Sequence, residues 1–129
     1  MRKLFLPLAL LLVTACGESK FHQSVDYAIF VDSIQVPAVV SSNQPFTIRF
    51  FGEVGPDQCW NFNGFNSQKD ARRLDILVLG RYVSTGRCPQ IEVKLDGEPF
   101  DVQPPFEDPF TVRVTQPNGD SLVVTIPVR

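Results

Sequence analysis

Near the end of the chain, Phe110-Thr111-Val112-Arg113-Val114 alternates cleanly, and Leu122, Val124 and Ile126 repeat the pattern after a short gap. Period-two alternation sends successive side chains to opposite faces, as in a half-buried β-strand. The gap holds Pro117-Asn118-Gly119-Asp120, and Asn-Gly is the pair that a type I′ hairpin turn favours. This end of the chain therefore predicts an antiparallel hairpin. Pro127 cannot donate to a strand ladder, so it marks an edge strand or a chain end.

The same pattern recurs upstream. Val25, Tyr27 and Ile29 alternate, then residues 30–36 run into Pro37, predicting a first strand with a break near Asp32-Ser33. Ser41-Ser42-Asn43-Gln44-Pro45 is a turn, after which Phe46, Ile48 and Phe50 share one face of a second strand. Cys59-Trp60-Asn61-Phe62 predicts a third strand, fading into Asn63-Gly64-Phe65-Asn66. Residues 67–73 carry no apolar stripe and predict a loop or single turn. Leu74 to Leu79 is apolar on both faces, which predicts a central strand. Ile91, Val93 and Leu95 form a half-buried strand ended by Gly97.

About seven short strands with turn signals every 8–14 residues fit an all-β antiparallel sandwich. The opening strand ending in Val36-Pro37, the Pro45-Phe46-Thr47-Ile48 strand and the Phe110 to Val128 hairpin resemble an immunoglobulin-like domain of bacterial envelope lipoproteins. The resemblance is architectural and covers most of residues 27–129. Two features depart from antibody domains. Cys59 and Cys88 are closer in sequence than an inter-sheet pair, and Trp60 adjoins Cys59. A small antiparallel β-barrel is the alternative fold.

The amino terminus follows different rules. Met1-Arg2-Lys3 is basic, and residues 4–13, LFLPLALLLV, carry no charge. Ten residues are too few for a bilayer core, which takes roughly 20, but they suit a signal-peptide h-region. Val13-Thr14-Ala15-Cys16 resembles the bacterial lipobox. That resemblance implies cleavage after Ala15, acylation of Cys16 and a bilayer as partner; ordinary secretory cleavage is the competing reading. Gly17 after the cysteine implies an outer-membrane destination in a diderm cell. The expected organisation is a leader over 1–15, a lipidated cysteine and polar tether over 16–26, and one domain over 27–129.

Three cysteines in an exported chain need an explanation. Lipid on Cys16 leaves Cys59 and Cys88 as a pair that an oxidising compartment allows to bond. Closing that 30-residue loop is worth about 3.6 kcal/mol in the chain-entropy model. A metal or redox pair would need a C-x-x-C spacing or nearby histidines, and the one histidine is His22.

Loss of the leader, with Arg2 and Lys3, leaves 10 basic against 14 acidic side chains, a formal charge of −4. The basic residues are scattered, so nucleic acid is not an expected partner. With His22 in the tether, a Ser-His-Asp or Cys-His arrangement has no base. No cofactor motif or metal-ligand cluster is present, and the chain reads as a non-enzymatic binding or structural module.

Two segments hold candidate binding residues. Residues 100–110 set Phe100, Phe106 and Phe110 among three prolines and three acids, either as an exposed rigid loop or as a crossover plugging the core. Residues 60–65, WNFNGF, alternate Trp60, Phe62 and Phe65 with amides, either as a stacking patch or as packing around the disulfide. Three further functions compete. An inhibitor of a secreted hydrolase needs Phe106 exposed. A glycan-cleaving enzyme needs two carboxyl groups about 5–9.5 Å apart across a cleft. An accessory subunit needs an envelope protein partner.

Overall fold

The computed structural model describes residues 23–129, and it is all-β, with no helix among those residues. The leader, Cys16 and His22 lie outside the described residues. Eight strands follow in order: β1 (Gln23–Ala28), β2 (Val31–Gln35), β3 (Phe46–Gly55), β4 (Trp60–Lys69), β5 (Arg73–Ser84), β6 (Val93–Val102), β7 (Phe110–Thr115) and β8 (Ser121–Ile126). They form a five-stranded and a three-stranded sheet, the latter ordered β2-β3-β6. The sheets pack as a sandwich and do not close into a barrel.

β5 organises the larger sheet. β4 lies along one side, while β1 and β7 share the other side end to end. β1 pairs antiparallel with residues 79–84, and β7 pairs parallel with residues 73–76. The larger sheet is therefore mixed. Between β5 and β7 the chain visits the other sheet as β6, which supplies the crossover that a parallel neighbour requires. Leu74, Ile76 and Val78 of β5 are buried against Phe46, Ile48 and Phe50 of β3, within the same cluster as Phe110, Val112 and Val114 of β7.

Several boundaries differ from the sequence expectation, each for a physical reason. β1 begins at Gln23, two residues before the alternation at Val25 and inside the span expected as tether, because Gln23 to Ala28 finds the end of β5 to pair with. The first break falls at Ile29-Phe30, where the chain switches sheets, and only a bulge marks Asp32. β4 does not fade at Asn63. A bulge with Gly64 at φ 101° absorbs one extra residue, and pairing with β5 continues to Lys69. Residues 67–69 are thus strand, not loop. Gly97 likewise bulges β6 instead of ending it.

The terminal hairpin forms, with a different turn. Among the described residues, glycines alone have positive φ, so Asn118 cannot occupy a type I′ position. Gly119 N–H donates to Gln116 C=O (3.1 Å), and Gln116 N–H donates to Asp120 C=O (2.8 Å). This is a three-residue loop, a type I turn with Gly119 (φ 86°) as its bulge residue. Pro117 presets the negative φ that a type I turn takes at its second position.

Gln116 also joins the two sheets. At the sheet switch its Oε1 accepts from Val31 N–H (2.9 Å), and its Nε2 donates to Val31 C=O (2.8 Å). Buried backbone groups left without partners cost about 1–3 kcal/mol each. One side-chain amide here does the work of a neighbouring strand.

Candidate functional site

The five aromatic side chains with candidate binding roles all turn inward. Trp60, Phe62, Phe65 and Phe100 are partly buried against the core, and Phe106 belongs to it at 3% exposure. The alternation in β4 first aims Trp60 and Phe62 at the core. The bulge at Gly64 then shifts the register by one residue, so Phe65 points inward as well. Phe62 and Phe65 meet edge to face at 5.2 Å, and Phe65 touches Phe50 and Phe100 at 5.1 and 5.0 Å. These distances suit favourable ring pairs.

Residues 103–109 are the inter-sheet crossover, with Phe106 plugging the core. Phe106 packs on Phe46 (5.1 Å) and Phe110 (4.9 Å). Lys69 caps the cluster: its Nζ donates to Pro105 C=O (2.8 Å) and lies 4.9 Å from the Phe106 ring centre. Phe106 N–H donates to Ser42 C=O, and Glu107 N–H to Ala71 C=O. Burial of Phe106 counts against a hydrolase inhibitor that inserts this loop.

At the opposite end, Cys59 and Cys88 form a disulfide with Cα atoms 5.2 Å apart. It staples the start of β4 to the loop after β5. Trp60 does not lie on its own in that corner, since Tyr27 and Tyr82 meet its ring at 5.1 and 4.8 Å. Room for these rings comes from glycine: a Cβ on Gly55 would overlap the Trp60 ring, and one on Gly80 would overlap Tyr27. Tyr27 OH donates to Val54 C=O (2.7 Å), and burial raises the pKa of its phenol. Asp57 lies beside both sulfurs, but the bonded sulfurs are not thiolates and its carboxylate accepts from Cys59 N–H. The trio is a turn cap with no free thiolate to bind a metal.

The surface that remains carries charged pairs beside scattered exposed apolar side chains such as Val25, Phe30, Ile91 and Val123. On the outer face of the larger sheet, Asp75 accepts from Arg113 (2.7 Å) and pairs with Arg73 (3.1 Å). Hydrogen bonding from Arg81 holds the Asp26 carboxyl below the usual range, and the backbone N–H groups of Arg72 and Arg73 do the same for Asp70. On the outer face of the smaller sheet, Asp32, Glu53, Glu92 and Asp96 line a depression of about 540 Å³ beside Phe51 and Lys94. Lys94 pairs with Glu92 at 3.6 Å. Sequence alternation could not find this cluster, because it gathers residues from three strands and a loop.

Neither a family model, a curated protein nor a solved structure matches this chain.

Proposed function

We propose that this chain is a lipid-anchored protein of the bacterial cell envelope, a non-enzymatic module that binds or braces a partner. Cleavage after Ala15 leaves Cys16 as the acylated first residue, and at least two acyl chains hold it stably in a bilayer. In a diderm cell the outer membrane is the destination.

The observation that carries this reading is the pairing of Cys59 with Cys88. Of three cysteines it leaves Cys16 alone, directly behind a short apolar leader. A disulfide also belongs to an oxidising compartment, which an exported protein reaches. The non-enzymatic part rests on composition, since residues 23–129 contain no histidine to act as base for a nucleophile.

The test is Cys16→Ser in the native cell. Intact-protein mass should lose the lipid increment, and the protein should move from the membrane to the soluble envelope fraction. Membrane retention of a wild-type chain that carries no lipid mass would overturn the reading.

A further inference from the structure

We propose that β8 is the contact edge of a symmetric dimer, in which two copies of residues 121–125 pair antiparallel about Val123. Exposed strand edges invite pairing, and proteins usually blunt them with charge, proline or bulges. The other edges here are blunted. β4 has its bulge at Gly64 and ends on Lys69, and β1 carries Asp26 paired with Arg81. β2 is bulged near Asp32, and β6 combines a bulge with Lys94, Asp96, Glu98 and Pro99. β8 reads SLVVTI, with no charge, no proline and six uninterrupted pairs to β7.

The backbone shows which groups lie open. Past the end of β8, Pro127 C=O accepts from Val40 N–H (3.1 Å), and Arg129 N–H donates to Val40 C=O (3.0 Å). Odd-numbered residues of this line therefore turn their polar groups away from β7. By alternation Ser121, Val123 and Thr125 do the same, and no described strand pairs with them. Val123 stands in the middle with 55% of its surface exposed.

A second copy fits this edge in one register. With Val123 on the twofold axis, Ser121 faces Thr125 of the other copy, Leu122 faces Val124, and Val123 faces itself. Odd residues then oppose odd residues, so each outward N–H meets an outward C=O. The side-chain pairs are hydroxyl with hydroxyl and aliphatic with aliphatic, with no like charges opposed. A one-residue slip would set outward groups against inward ones. A two-residue slip in one direction runs into Val40, and in the other it leaves Thr125 unpaired.

The test uses the full-length chain in the membranes of the cells that make it, with cysteine placed at single positions and mild oxidation applied. Val123→Cys should yield a disulfide-linked species of twice the chain mass. Ser121→Cys and Thr125→Cys should not do so alone, but should do so when co-expressed. The unsubstituted chain serves as the blank. Val123→Lys, which sets like charges on the axis of an exposed site, should halve the sedimenting protein mass of the purified chain in detergent. The proposal is overturned if Val123→Cys stays monomeric. It is equally overturned if Ser121→Cys links as readily as Val123→Cys, or if residue 123 links to a different polypeptide.

Discussion

The two ends of the sandwich are closed in different ways. At the crossover end, Phe46, Phe106 and Phe110 stack under a proline-rich segment, with Lys69 as a lid and no covalent link. At the other end Cys59 and Cys88 are bonded, Trp60 and Tyr27 fill space left by Gly55 and Gly80, and Tyr82 packs on Trp60. The first end depends on burial that exists only in the folded chain. The second depends partly on a bond that also restricts the unfolded chain. Similar closure is thus reached through opposite states of the folding equilibrium.

Breaking the crossover end should have the larger effect. Phe106→Ala removes a 3%-exposed ring and leaves a cavity between Phe46 and Phe110, at a cost of about 3–5 kcal/mol. Urea denaturation should show this as a lower midpoint with little change in slope. Replacing Cys59 and Cys88 together with serine should cost about 3.6 kcal/mol if loop entropy dominates. Its signature should differ, because the freed unfolded chain exposes more surface and the denaturant slope should rise. An unchanged slope would remove the distinction between the two ends.

The smallest effect sharpens the disulfide end. Tyr27→Phe loses the hydrogen bond to Val54 C=O, worth about 0.5–1.5 kcal/mol. Because burial raises the Tyr27 pKa, the folded chain keeps the phenolic proton after the unfolded chain has lost it. The resulting stability is present below about pH 10 and is lost as pH rises through the folded value. Thermal melts of the wild type should therefore fall more steeply above pH 10 than those of Tyr27→Phe. Parallel declines would show that Tyr27 is not the group responsible.

The sandwich was legible wherever apolar alternation was strong, in β3, β5, β7 and β8. It failed on β4, where Asn66 to Lys69 are polar edge residues held in strand form by β5. No local signal in those residues reports a partner 5 to 11 positions away. The candidate site was misplaced for a related reason. Alternation shows that Trp60 and Phe62 share a face but not which face is inside, and the bulge at Gly64 adds Phe65 to the same side. The buried role of Gln116 is equally silent in sequence, since its partner at Val31 is 85 residues away. The bond between Cys59 and Cys88 was legible because cysteine parity does not depend on distance.

The start of β1 at Gln23 has a consequence for traffic on the membrane. If Cys16 is the lipidated residue, only residues 17–22 link it to the fold, a leash of at most about 20 Å. So short a leash confines every copy to a thin layer, where encounters become nearly two-dimensional and effective concentration rises. The β8 edge would then join more completely at the surface than in dilute solution. Antiparallel joining points the two Gln23 ends in opposite directions along the strands. Both leashes reach one bilayer when the shared sheet lies flat along it, like a raft moored at two corners.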